Sequence, residues 1–538
     1  MKTKIIFVNW PILCDRYNIP NGLLNLAEVL TKTGKYHIHI IDYSNLVLDG
    51  KLDSSVFESL DYEVLSDIII NEKPDIIGFS TIADAYHLTL QIAKYIKEKY
   101  PEIINILGGP QITATAYESF LKYQFIDFAL LGECEMIIED AIDSIVNHRE
   151  KRKIPNLVYR NSNKIVINPK TSKLVDLNLL PKMKLKKYLS LDLNKISELD
   201  IEAGRGCPYN CYFCATNKFW NRKFRLKSID VLVSDIQYYI SQYNIKKFQF
   251  QHDIFTLNKK FIIDFSKEIQ KREINIKWRC SARLDSLDAD IINAMSDAGC
   301  VEVFIGIETG SERMQEVINK KLDLGKINLI YQSFSKHQIR VDSSFIYGFP
   351  EENYSDLLKT LNLIKHLKEN YQTIIMFEHL VYYPGTLVAK NYINDLKLYY
   401  SDHITRGTNF SLLSIKLYKS IFINFYENPT VLTTSYPHLN VFINSFINLL
   451  YYLAPNTYNL IMSIHIDYLK LYKDFEFIMP DFLDLIYKYK YHKVNKKSYC
   501  DIFFNILNQY ISIQENAELL YEAYSFDYRF YKYKIDNI

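Results

Sequence analysis

The chain has almost no charge imbalance: 64 Lys and Arg stand against 62 Asp and Glu, a net charge of +2 over 538 residues. It therefore lacks the basic field that binding to a phosphate backbone requires, and nucleic acid is not an expected partner. It lacks a run of ~20 apolar residues, the length that crosses a bilayer. The longest greasy stretch, Val441 to Met462, is interrupted by Asn444, Ser445, Asn448, Pro455 and Asn456, so no membrane span is expected. The apolar run at the N-terminus is too short for a signal peptide and reads as a first strand. A disulfide framework is missing too. Outside one cluster the eight cysteines are scattered (Cys14, Cys134, Cys280, Cys300, Cys500), which fits a reducing compartment and a cytoplasmic location.

What is present centres on Gly204-Arg205-Gly206-Cys207-Pro208-Tyr209-Asn210-Cys211-Tyr212-Phe213-Cys214. Three thiols spaced C-x3-C-x2-C can hold three irons of a four-iron cluster and leave the fourth free to bind another molecule. Zinc is the rival reading. Structural zinc asks for four ligands, and neither Cys nor His follows Cys214 until His252. Three buried thiols without metal fit poorly with a Gly-, Pro- and Asn-rich segment, which reads as a loop.

Residues 1–150 alternate short apolar runs with helix-period segments, the pattern of a doubly wound parallel sheet. Strands are expected at Ile5 to Val8, His37 to Ile41, Ile76 to Ser80, Ile103 to Leu107 and Phe125 to Leu131. Ligands of such sheets settle at the carboxyl ends of the strands, so Trp10 to Cys14, Asp42, Ser80 to Asp84, Gly108-Gly109-Pro110 and Gly132-Glu133 should share a rim. Residues 151–195 read as a linker with a hairpin, Leu157 to Arg160 and Lys164 to Ile167. From 196 to 395 six further βα units suggest an incomplete (β/α)6 barrel, with polar residues bunched where strands end. Residues 396–538 lose that rhythm and read as a mainly helical C-terminal domain capping the barrel. There Tyr487-Lys488-Tyr489-Lys490-Tyr491-His492-Lys493 reads as a solvated edge.

The thiol motif, with Gly-Cys-Pro at its first ligand and Phe213 before its last, resembles the cluster loop of the radical S-adenosylmethionine (SAM) superfamily. That resemblance implies a 4Fe-4S cluster on Cys207, Cys211 and Cys214, with SAM chelating the open iron and being cleaved to a 5′-deoxyadenosyl radical. It implies that Phe213 meets the adenine, although ordinary packing explains that ring as well. It further implies SAM contacts from His252 and Asp253 in Gln251-His252-Asp253, from Ser281 or Arg283, from Glu308 in Gly306-Ile307-Glu308-Thr309-Gly310, and from Ser344. Each has a plainer reading: a helix cap for Glu308, an ion pair for Asp253, a satisfied structural histidine for His252. Cys280 and Cys300 read as core thiols.

The N-terminal domain resembles the cobalamin-binding domain that precedes the barrel in one subclass of that superfamily. Pro20-Asn21-Gly22-Leu23-Leu24, Asp42, Ser80-Thr81-Ile82, Leu107-Gly108-Gly109-Pro110 and Gly132-Glu133-Cys134-Glu135 carry the likeness. The Asp-x-His-x-x-Gly segment that supplies a histidine to cobalt is missing. The domain thus either binds cobalamin without a protein histidine on the metal or keeps the fold as a scaffold.

With cobalamin, the resemblance implies methyl transfer to an unactivated carbon of a natural product, peptide or lipid-like substrate, with electrons from a flavodoxin- or ferredoxin-type reductant. Without it, hydrogen abstraction for epimerisation, cyclisation or rearrangement follows, with Cys14, Cys134 or a tyrosine as hydrogen donor. A non-catalytic iron-sulfur electron carrier is a third reading. It is disfavoured because such carriers normally use four cysteines per four-iron cluster.

Overall fold

The computed structural model describes residues 2–392, apart from 11–15, 18, 60, 172 and 372, together with parts of 439–528. The helices expected beyond 395 lie largely outside the described residues, as do Cys14, Cys500 and the Tyr487 to Lys493 run. The described residues divide into two compact units, one built on 2–303 and 381–392, the other on 304–380 and the described parts of 439–528.

The first unit opens with β1 (Thr3–Val8), β2 (Tyr36–Ile41), β3 (Ile76–Ser80), β4 (Ile104–Gly108) and β5 (Phe128–Leu130), all parallel. Runs such as Ile5-Ile6-Phe7-Val8 are buried on both faces, as strands sandwiched between helices must be. The order β2-β1-β3-β4-β5 is that of a doubly wound sheet with its switch point between β1 and β3. The hairpin read within the linker, β6 (Leu157–Asn161) and β7 (Lys164–Ile167), instead extends this sheet to seven strands, β6 lying antiparallel on β5. Leu157, Val158 and Tyr159 are all buried, so the hairpin carries a core face that the turn residues alone did not reveal.

The barrel's first strands follow in the same unit. β8 (Leu199–Glu202) leads into the two-residue β9 (Gly204–Arg205), which pairs antiparallel with β10 (Arg225–Leu226). β11 (Lys247–Gln251) lies parallel between β8 and β12 (Lys277–Ala282). Ser228 caps the helix Ile229–Tyr243, accepting from the Val231 amide, and Asn244 closes it in the left-handed conformation. Trp278 on β12 is fully buried against Phe250, Phe255 and Phe265, and its indole N–H donates to the Ala298 carbonyl. That satisfied donor lets a large aromatic sit in the core without an orphaned polar atom.

β13 (Cys300–Glu308) runs out of the first unit into the second, where β14 (Arg340–Tyr347) lies beside it and pairs parallel with β15 (Ile374–His379). The six βα repeats expected of the barrel are therefore all present, with strand ends displaced by at most a few residues. After β14 the chain turns through Gly348 to Glu352, whose Oε2 accepts from the Gly348 amide while Oε1 is buried with no hydrogen-bond partner among the described residues. Burial pushes the Glu352 carboxyl up to about 8. No helix among the described residues is long and apolar enough to cross a membrane.

Glu352 gives the fold a pH signature. Its folded-state value lies above the ordinary carboxylate value, so the native state holds the extra proton and stability falls as pH rises from about 4.5 toward 8. Glu352→Gln keeps an oxygen for the Gly348 amide and removes the titration. Thermal melts of the apoprotein should show the variant gaining on wild type as pH rises through that window, by roughly 2–4 °C for each kcal/mol recovered. Parallel profiles for the two proteins between pH 5 and 8.5 would show that the carboxyl does not titrate there.

Candidate functional site

The first unit holds a cavity of about 280 Å³ between its sheet and the flanking helices. Ile5, Phe7, Ile106 and Leu130 from the strands and Leu23, Leu26, Ile138 and Ile142 from the helices make most of it apolar. Of the residues expected to share a rim, Trp10, Ser80, Gly108, Gly109, Pro110, Gly132 and Glu133 line it, whereas Asp42 and the residues from Thr81 to Asp84 do not. The rim loops are locked to one another: the Thr81 hydroxyl donates to the Gly108 carbonyl at 2.7 Å, and the Gly132 amide donates to the Thr113 hydroxyl at 2.9 Å. Asp42 lies outside the cavity lining. It accepts from Asn9 and from the Asn45 amide as a helix cap, and burial pushes it up to about 6.

One wall of the cavity is charged, and it belongs to the thiol segment. Arg205, 4% exposed, donates from Nε to Glu202 at 2.6 Å, from Nη1 to Glu133 at 2.9 Å and from Nη2 to Glu135 at 2.7 Å. Arg225, opposite it in the β9–β10 pair, donates to both oxygens of Glu133, at 3.1 and 2.7 Å. Trp220 packs under the Arg205 guanidinium at 5.6 Å and lines the same cavity. The sequence places Glu133 on the rim and offers Glu135 only as part of a likeness, and it gives no role to Arg205, Glu202 or Trp220. The one available signal was a lone arginine held between two glycines directly before the first thiol.

The loop from Gly206 to Cys214 is shaped by close backbone approach. Gly206 has φ +86°, and a Cβ there would lie 2.0 Å from the Lys223 carbonyl oxygen, so only glycine fits. Its amide donates to Asp253 at 3.1 Å. Burial raises the Asp253 carboxyl, with the Gly206 amide and Thr216 acting in the opposite direction. Asp253 therefore organises the start of the loop. His252 beside it accepts from the Ile254 amide at Nδ1 and faces the Arg225 carbonyl with Nε2 at 3.3 Å, and burial lowers it to about 4. This places a neutral imidazole with both nitrogens in backbone contacts, the arrangement of a satisfied structural histidine.

Arg283 approaches the thiols from the end of β12. Its guanidinium stacks 3.6 Å over the Tyr209 ring, donates twice to Asp285 at 2.9 Å and donates to the Cys211 sulfur at 3.7 Å. Burial opposes its charge, and Asp285 more than restores it. A fixed cation beside a thiol favours the thiolate, the form that binds metal. At Cys207 burial dominates and pushes the thiol up to about 11, so a metal must displace its proton. Among the described residues no three side chains converge on a single metal-ion position. The fit therefore rests on three thiols of suitable spacing, none in a disulfide, and on the cation beside one of them. Phe213 and Ser281 are half-buried in the same unit.

In the second unit Glu308 ends β13 with φ +71°, a conformation that strains a residue with a Cβ. Its Oε1 accepts from Lys320 at 2.5 Å, both side chains being buried. A Cβ on Gly306 would meet that oxygen at 2.3 Å, so the glycine makes room for the pair. Ser344 is buried on β14. Lys320 had no signal in the sequence beyond its charge.

Comparison with known proteins agrees with this geometry. The model of the radical SAM superfamily matches residues 201–364, and that of the B12 binding domain matches 17–142. An uncharacterized methyltransferase of Pyrococcus horikoshii is 28% identical over 398 residues, 71% of this chain and 85% of that protein. The anaerobic magnesium-protoporphyrin IX monomethyl ester cyclase of Rubrivivax gelatinosus is 24% identical over 54% of each chain. Among solved structures, the cobalamin-dependent SAM radical enzyme OxsB superposes with a TM-score of 0.64 at 16% identity, covering 99% of this chain and 81% of its own. At that identity the likeness speaks for the fold. The two domains bring with them the cofactors of their families, a 4Fe-4S cluster, SAM and cobalamin. The chain belongs to the radical SAM superfamily, in the subclass whose enzymes carry a cobalamin-binding domain ahead of the radical SAM domain.

Proposed function

We propose that this enzyme transfers a methyl group from SAM to an unactivated carbon of a small-molecule, peptide or lipid-like substrate. In this reading Cys207, Cys211 and Cys214 ligate the cluster, and the cavity rimmed by Ser80, Gly108, Gly109 and Gly132 takes part of the cobalamin. The observation that carries the reading is that one compact unit holds both the thiol loop and an apolar rim cavity, and that Arg205 joins them. The methyltransferase relative supports the reaction type.

When bound, the cluster supplies an electron for SAM cleavage and the corrinoid supplies a carrier for the methyl group. The chain's own residues prepare for this. Asp253 and Gly206 fix the start of the loop, and Arg283, held by Asp285 and Tyr209, keeps a cation at Cys211. Phe213 and Ser281 in the first unit are assigned to SAM. His252 keeps its place in the Gln251-His252-Asp253 turn and shapes it through its backbone contacts. The apolar lining of the cavity excludes water from whatever occupies it. A flavodoxin- or ferredoxin-type donor would supply the electron in the cytoplasm, a compartment that also keeps the cysteines reduced.

Two kinds of substitution separate the two cofactor sites. Cys207→Ala, Cys211→Ala or Cys214→Ala should drop iron and sulfide in anaerobically purified protein to background and abolish SAM cleavage. Gly108→Leu should instead leave iron unchanged. A Cβ at Gly108 meets only the Leu130 carbonyl oxygen, at 3.8 Å, so the side chain can enter the cavity without a backbone clash. Cobalt content should fall about tenfold or more, the equivalent of roughly 1.4 kcal/mol of binding. Label from methyl-labelled SAM should then no longer reach an acceptor, while SAM cleavage persists. Wild-type protein that takes up iron but no cobalt would overturn methyl transfer in favour of direct hydrogen abstraction.

A further inference from the structure

The buried charges at the cavity wall do not balance. Glu133, Glu135 and Glu202 bring three carboxylates, while Arg205 and Arg225 bring two guanidiniums. An ion-pair network that served packing alone would gain from neutrality, because each uncompensated charge in a poorly solvated site carries a desolvation cost. This one holds a surplus negative charge beside the loop of the thiol triad. Arg205 is the cation nearest that loop in sequence, two residues before Cys207.

Its geometry is fixed from both sides. The side chain uses Nε, Nη1 and Nη2 on three different carboxylates, and the backbone is paired with Arg225 across β9 and β10. Gly206, the residue between Arg205 and Cys207, is held by Asp253 and has no room for a side chain. A guanidinium this constrained cannot move away from the loop when charge is added there. At 4% exposure solvent does little to screen it.

We propose that Arg205 is a positioning residue for the cluster loop whose charge, set against Glu133, Glu135 and Glu202, tunes how readily the cluster accepts an electron. The inference rests on the reading that Cys207, Cys211 and Cys214 ligate that cluster. Adding an electron adds negative charge, so a neighbouring cation favours reduction and a surplus carboxylate opposes it. The same network ties the loop to the Rossmann rim at Glu133 and Glu135, which puts the cluster's reducibility and the cavity's polar wall under one set of charges.

The test is the midpoint potential of the reconstituted enzyme without SAM, followed by the electron paramagnetic resonance signal of the reduced cluster in a mediated titration. Arg205→Gln should shift the midpoint to more negative potential and Glu133→Gln to more positive potential. Arg205→Lys, which keeps the charge, should lie closer to wild type than Arg205→Gln does. Opposite signs support the proposal, since loss of packing has no reason to follow the sign of the charge removed. Equal signs, or unmoved potentials in variants with full iron content, overturn it. If Arg205→Gln holds no cluster, Glu133→Gln and Glu135→Gln decide: both should move positive, and a failure of either to do so overturns the proposal. Wild-type protein that takes up no iron overturns the cluster assignment and this inference together, whereas a normal but charge-insensitive cluster overturns this inference alone.

Discussion

Arg205 ties the Rossmann rim of the first unit to the end of its first barrel strand. A guanidinium at 4% exposure must find acceptors for its N–H groups, and it finds them on Glu133 and Glu135 from the Rossmann rim and on Glu202 from the end of β8. Removing Arg205 would leave Glu133, Glu135 and Glu202 facing Arg225 alone, a loss of about 3–5 kcal/mol in comparable sites. The Rossmann rim and the first barrel strand are therefore held in register by hydrogen bonds with fixed fork geometry, and apolar packing need only fill the space around them. Asn25, which donates to Glu202 at 3.1 Å, extends the same network to the first helix.

From that register the thiol loop follows almost without freedom. The β9–β10 pair sets the direction of the chain, Gly206 takes the left-handed conformation, and Asp253 holds its amide. Downstream, Asn217 donates to the Cys211 carbonyl at 3.4 Å and the Val388 amide donates to the Tyr212 carbonyl at 3.2 Å. The backbone between the cysteines is thus tied down from several directions before any metal arrives. Pre-organisation of this kind lowers the ordering cost that a cluster would otherwise have to offset on binding.

What the sequence disclosed and what it withheld divide along physical lines. Local signals were legible: apolar runs placed β1, β3 and β4 to within about two residues, and the spacing of the thiol triad pointed to its chemistry. Contacts between distant positions were not. The Arg205–Glu133 pair joins residues 72 positions apart, and no periodicity encodes such a partner. The hairpin at β6 and β7 was found, but its place on β5 depends on register with Phe128 and Ala129 and so was read as a linker. A SAM contact from His252 is implied only by the likeness of its turn. Only the positions of the Ile254 amide and the Arg225 carbonyl show where its nitrogens go.

The second unit shows the same economy in a different form. Glu308 accepts a strained backbone at the end of β13, and the buried pair with Lys320 is what holds it there, filling space that Gly306 leaves open. Glu352, by contrast, accepts from the Gly348 backbone amide, and burial drives it toward the neutral acid. Two glutamates at strand ends of one unit thus meet the cost of desolvation in opposite ways, one by pairing and one by protonation. A carboxylate that must present a fixed negative charge needs a partner like Lys320. One that only needs to hold the Gly348 amide can do so in either state, and it is therefore the group whose charge is free to follow pH.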